Sequence, residues 1–135
     1  MKLIVCVDDN LGISFFGKRQ SMDEIQRKDV FETVKNNKVY LSQYSYDLYK
    51  DLNLDFKIVS GDEENNFDGY FIYEGEFLES FIDYIDEIIC YNWNRNYPFD
   101  ETFDELKKDI WKEIERLEFV GKSHEKITKI RYVRV

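Results

Sequence analysis

Residues 3–7, Leu-Ile-Val-Cys-Val, form an apolar run without alternation, and the run ends in Asp8, Asp9, Asn10 and Gly12. Such a run predicts a strand buried on both faces, as at the centre of an α/β sheet. The polar triplet and glycine after it form a loop at the strand's carboxyl end, where open α/β sheets place their ligands. Residues 12–20 hold two glycines and two phenylalanines and read as an irregular loop. Ser21 then stands as a helix N-cap with Glu24 three residues on, the spacing of a capping box. The helix runs to about Lys35, with Met22, Ile25, Val30, Phe31 and Val34 as its apolar positions and acidic residues in its first turn.

Residues 38–41 give a second strand, 44–52 an aromatic helix and 56–60 a third strand. Residues 61–68 are acidic and turn-rich and predict a solvated loop. A fourth strand follows at 69–73. Phe77, Leu78, Phe81, Ile82 and Ile85 mark a packed helix over 76–85, and 87–92 is a fifth strand. Strands alternating with helices argue right-handed βαβ units and a mainly parallel sheet. Beyond Trp93 the order changes. Residues 100–109 read as a surface segment or short helix, and 111–119 with 128–135 read as a terminal hairpin. A helix over 105–117 is the rival, because Glu, Lys and Leu favour helices.

Composition adds bounds. The 135 residues fit one domain, 1–135, and eleven Phe, ten Tyr and two Trp supply a sizeable core. A net charge of −9 argues against sequence-independent binding of nucleic acid, which needs a basic stripe. The basic cluster Lys122, Lys126, Lys129, Arg131 and Arg134 reads as a solvated strand edge. Cys6 and Cys90 sit in apolar runs without metal-ligand spacing, so buried free thiols and a reducing compartment are expected. With no leader-like start and no run of about 20 apolar residues, the expectation is a cytoplasmic protein that does not engage a membrane.

The chain also carries a resemblance. Ile4-Val-Cys-Val-Asp8, Asn10 and Gly12-Ile13 look like the opening of dihydrofolate reductase. Val39-Tyr-Leu with Tyr46, the strand–glycine–helix–strand order from Gly69 to Asn92, and the ending around Trp111, His124 and the last strand follow the same family. The resemblance implies an α/β fold of dihydrofolate reductase type: a mainly parallel central sheet, flanking helices and a C-terminal antiparallel hairpin, here shortened. The family's functional residues are replaced. Arg27 falls at the position of its pterin-protonating acid, Ser42-Gln43 replaces the Gly-Arg step that meets cofactor phosphates, and Glu74-Gly75 replaces its Gly-Gly pair. A carboxylate at a helix N-terminus repels a pyrophosphate. The expectation is therefore no cofactor, with NADPH as the alternative. Val7-Asp-Asp-Asn10, Trp93-Asn-Arg-Asn-Tyr-Pro98 and Ser123-His-Glu-Lys-Ile-Thr128 resemble a family of short bacterial proteins sometimes labelled ribonuclease Z. That chemistry needs a two-zinc, histidine-rich site. One histidine in the chain does not supply it, and no metal site is expected.

Three groups of residues carry candidate chemistry. Asp8 and Asp9, with Asn10, are paired carboxylates at the end of the first strand, read either as a site or as turn chemistry. Trp93 and Arg95 offer an indole and a guanidinium for an anion or a planar ring. Arg19 with Ser21 would join them at a helix N-terminus. His124 is the only histidine; adjacent Ser123 and Glu125 are poorly placed to activate or orient it, so it reads first as a loop histidine with local hydrogen bonds, with a ligand contact or a general acid or base as the alternative. The resulting expectation is a non-reductase binder of a small anionic or nucleotide-like ligand. The alternatives are an NADPH-dependent reductase with a relocated acid, a protein-interaction domain or homodimer using Phe15, Phe16, Tyr44 and Tyr46, and a ribonuclease.

Overall fold

A computed structural model describes residues 1–63 and 68–135; residues 64–67 of the expected loop at 61–68 lie outside the described residues. The first strand, β1 (Lys2–Val7), has Leu3, Val5 and Val7 on one face and Ile4 on the other, all at most 1% exposed. Burial on both faces explains why the run lacks polar alternation. A two-strand hairpin follows, β2 (Gly12–Phe15) and β3 (Lys18–Arg19), where an irregular loop was expected. Its turn is Phe16-Gly17, with φ of 50° and 74°. Two positive φ values give the turn whose twist suits a hairpin, but Phe-Gly lacks the Asn-Gly or Asp-Gly signature that announces it.

The first helix, α1 (Glu24–Val34), is capped by Asp23 rather than Ser21: the Asp23 carboxylate accepts from the N–H groups of Ile25 and Gln26. Its buried stripe is Gln26, Val30 and Val34, spaced by four, while Met22 lies outside the helix and is exposed. Next come β4 (Lys38–Leu41), α2 (Gln43–Tyr49) capped by Ser42, β5 (Asp55–Ile58) and β6 (Tyr70–Ile72). The expected helix at 76–85 shortens to α3 (Leu78–Phe81) and one 3-10 turn, Ile82–Tyr84. Phe77, at φ 70°, opens it from a left-handed backbone, and the chain straightens at Ile85 to enter β7 (Glu87–Asn92). β8 (Glu101–Thr102) and a 3-10 turn at Asp104–Lys107 lead to the long hairpin of β9 (Trp111–Phe119) and β10 (Ile127–Arg134). The rival helix at 105–117 does not form.

The large sheet runs β5-β4-β6-β1-β7-β10-β9. Its first five strands are parallel to one another, and the hairpin joins antiparallel. The fold is therefore the expected α/β one, with β1 between β6 and β7. One core packs α3 against Leu3, Val5, Phe71 and Cys90; the other packs α1 against Ile4, Val39, Leu41 and Tyr91. A smaller sheet, β3-β2-β8, lies beyond the carboxyl end of β1. Among the described residues no helix is long and apolar enough to cross a membrane.

Gly69 shows how tightly the parallel strands meet. Its carbonyl accepts from Lys2 N–H at 3.0 Å, its φ is +113°, and a Cβ there would collide with the Lys38 carbonyl. Gly69→Ala is expected to lower the unfolding free energy by on the order of 2–3 kcal/mol. Urea denaturation measures this, and an unchanged midpoint contradicts it.

Candidate functional site

Asp8 directly follows β1 and is fully buried, and its carboxylate is surrounded by donors. One oxygen accepts from the N–H groups of Asn10 and Gly12, each at 2.8 Å. The other accepts from Gln20 Nε2 and Tyr97 N–H, each at 3.1 Å. Three separate loops are thus tied to one carboxylate, and a buried charge held this way is stable where a bare one is not. Asp9 is exposed and its N–H donates to the Arg95 carbonyl at 3.0 Å; Asn10 reaches Asn96 at 3.1 Å. Arg95 is exposed, and its guanidinium donates to the Ser123 carbonyl at 3.2 Å.

A second carboxylate, Asp23, organises the neighbouring end of α1. Besides capping the helix, it accepts from Lys122 N–H at 3.1 Å, Ser123 N–H at 2.9 Å and Ser123 Oγ at 3.1 Å. Its Oδ2 lies 2.9 Å from His124 Nδ1. Burial raises the carboxyl's pKa, but the hydrogen bonds from His124 and from the backbone of Ser123, Lys122 and Gln26 outweigh it and hold Asp23 well below the usual carboxylate range. His124 is itself buried, stacked on Trp93 with ring centroids 4.5 Å apart and planes at 22°. Its Nε2 faces two hydroxyls, Ser21 Oγ and Tyr97 Oη, each at 3.0 Å. An ionised carboxylate only accepts, so Nδ1 carries the proton toward Asp23 and, in the neutral ring, Nε2 accepts from the hydroxyls. His124 lies in the loop between β9 and β10, as expected, but its hydrogen bonds are not merely local. The expectation of local bonds failed because Asp23 and Ser21 lie about a hundred positions earlier in the chain.

Arg19 occupies a third position. Its Nε and Nη2 form a two-point pair with the Glu74 carboxylate at 2.8 and 2.9 Å, and the guanidinium lies 4.3 Å from the centre of the Tyr44 ring. Ser45 Oγ donates to the same Glu74 carboxylate at 2.8 Å. The pair joins β3 to the turn after β6 across the carboxyl ends of the strands. Beside it a cleft of about 230 Å³ is lined by residues that include Ser14, Tyr44, Glu74, Asp100 and Glu101. Neither cysteine is poised for chemistry: burial pushes Cys90 up to about 12, and burial with the nearby Glu74 charge raises Cys6.

Of the residues singled out from sequence, Ser21, Trp93 and His124 come together in one network. Asp8 adjoins it through Gln20 and Tyr97; Asp9, Asn10 and Arg95 lie on its exposed rim, and Arg19 faces Glu74 instead. Asp23 was not anticipated as part of it, nor was Glu74 as the partner of Arg19 outside it. Asp23 had a readable signal, since aspartate is as good an N-cap as serine and it immediately precedes the helix.

No family model and no curated protein matches the chain. Among solved structures it is similar to dihydrofolate reductase from Enterococcus faecalis complexed with NADP(H) and RAB-propyl. The TM-score is 0.70 at 14% identity, over 98% of this chain and 95% of that one. The likeness shows a dihydrofolate-reductase-like fold.

The depressed Asp23 carboxyl sets a sign for pH dependence. Its folded value lies below the unfolded value of about 3.9, so its stabilisation is complete above that value and is lost as pH falls through the folded one. Asp23→Asn is expected to cost on the order of 2–3 kcal/mol at pH 7 and distinctly less at pH 3. Unfolding of both proteins at the two pH values measures the difference; an equal gap contradicts the assignment.

Proposed function

We propose that the chain is a ligand-binding module that uses a dihydrofolate-reductase-like sheet without nicotinamide-cofactor chemistry. The observation that carries this reading is the Arg19–Glu74 pair spanning the carboxyl ends of the strands. Resemblance aligns Glu74-Gly75 with the Gly-Gly pair that meets cofactor phosphates, and a carboxylate there repels them. Arg19, the cation first read as an anion receptor, has its fork directed at Glu74, which matches it bidentately. The adjoining cleft is walled by Glu74, Glu76, Asp100 and Glu101, together with the Tyr44 ring. Carboxylates and an aromatic face recognise a small cation, such as a primary amine or guanidinium.

A second reading keeps the anionic ligand and moves it to α1. Arg27 Nη1 is a buried donor without a partner among the described residues, and Arg27 stands where resemblance places the family's acid. A buried donor left unpaired costs about 1–3 kcal/mol, which an acceptor-rich ligand would recover.

Thermal-shift measurements separate the readings. Polyamines and guanidinium compounds are expected to raise Tm in the wild type and to lose that effect in Glu101→Gln. Stabilisation by nucleotides that Arg27→Ala abolishes would favour the second reading. Tight binding of NADPH would overturn the proposal that the cofactor's chemistry has been lost.

A further inference from the structure

We infer that Ser21 is a nucleophile activated by His124 and Asp23, acting on ester substrates independently of the acidic cleft. Nothing in the sequence order suggests this. Ser21 lies between β3 and α1, Asp23 caps α1, and His124 is in the loop between β9 and β10. The fold brings them into one line: Ser21 Oγ is 3.0 Å from His124 Nε2, and His124 Nδ1 is 2.9 Å from Asp23 Oδ2. Recognition of such a relay rests on geometry and roles rather than on chain order.

The hydrogen bonds give each group one role. Asp23 accepts the Nδ1 proton and fixes the tautomer, so the Nε2 lone pair faces the hydroxyls. Tyr97 Oη lies 3.4 Å from Ser21 Oγ as well as 3.0 Å from Nε2. When Tyr97 donates to Ser21 Oγ, Ser21 is left as the donor to Nε2, the orientation that deprotonates it during attack. Trp93 stacked on the imidazole holds the ring and presents an electron-rich face to the cation that forms on proton transfer. The buried members, Asp23, Trp93 and His124, are fixed by packing, whereas Ser21 is only half-buried and reachable from solvent.

In the reaction assigned to this geometry, Ser21 Oγ bonds to the ester carbonyl carbon as its proton passes to His124 Nε2. The tetrahedral adduct collapses with cleavage of the bond to the alcohol, which leaves with the proton from Nε2. Water then attacks the acyl-serine, giving one proton to Nε2. The acyl–Oγ bond breaks, Ser21 recovers that proton, and a carboxylic acid is released.

The test is covalent labelling of the full chain with a fluorophosphonate probe and with phenylmethylsulfonyl fluoride, located by peptide mass spectrometry. The expected result is one adduct, on Ser21, absent in Ser21→Ala and formed at least about 100-fold more slowly in His124→Gln and Asp23→Asn. Circular dichroism establishes that the variants are folded. Should the His124 and Asp23 variants not fold, Ser21→Cys retains the geometry, and its thiol is expected to alkylate with iodoacetamide at pH 7 at least about tenfold faster than a free cysteine peptide, as a thiol beside a histidine does. No adduct from either reagent, an adduct on Ser123 instead, labelling indifferent to His124 and Asp23, or an unactivated cysteine at position 21 would overturn the inference.

Discussion

The Asp23 carboxylate is the contact on which this end of the molecule depends. It closes the first turn of α1, holds the backbone of the β9–β10 loop at Lys122 and Ser123, and orients His124. A carboxylate so thoroughly hydrogen-bonded is stabilised in its charged form, which is why its pKa lies well below the usual range despite burial. The consequence is geometric. The histidine ring is pinned between Asp23 and Trp93, and its second nitrogen can only face Ser21 and Tyr97. Elements from both ends of the chain converge there because the antiparallel hairpin lies beside β7 and returns its loop to the start of α1.

Asp8 and Glu74 act similarly at the carboxyl ends of the strands. Asp8 gathers the loops after β1, β3 and β7 onto two oxygens. Glu74 receives Arg19 from the β2–β3 hairpin and Ser45 from α2. The sheet keeps a dihydrofolate-reductase-like form, while the crevice at its carboxyl edge is crossed by an ion pair and lined by acid. Fold and site have separate physical origins here. The two-sided packing of β1, Phe71 and Tyr91 fixes the layers, whereas a few charged side chains set the charge of the crevice.

Most of the sheet was legible in the sequence. β4 and β7 fall at 38–41 and 87–92, as their β-branched and aromatic runs indicate, and β9 falls at 111–119. What was not legible depended on turn chemistry or on distance along the chain. The β2–β3 hairpin was hidden because its turn uses Phe16-Gly17, and the helix start was misplaced because Ser21 and Asp23 are both good caps only two residues apart. The Ser21 hydroxyl faces His124, and only the fold reveals that pairing. The same limit applied to Arg19: its charge was visible, but its partner Glu74, 55 residues away, was not. Local spacing therefore located the loops that form the site without showing which side chains meet in it.

The Asp23 clamp depends on the proton between Asp23 and His124, and the His124 tautomer reports it directly. Long-range nitrogen–proton NMR correlations on ¹⁵N-labelled protein, at a pH where the ring is neutral, distinguish the two ring nitrogens. The structure predicts a protonated Nδ1 and an unprotonated Nε2, the reverse of the tautomer that free histidine prefers. A ring found with its proton on Nε2, or exchanging rapidly between both forms, would contradict the Asp23 clamp and the arrangement of hydroxyls built on it.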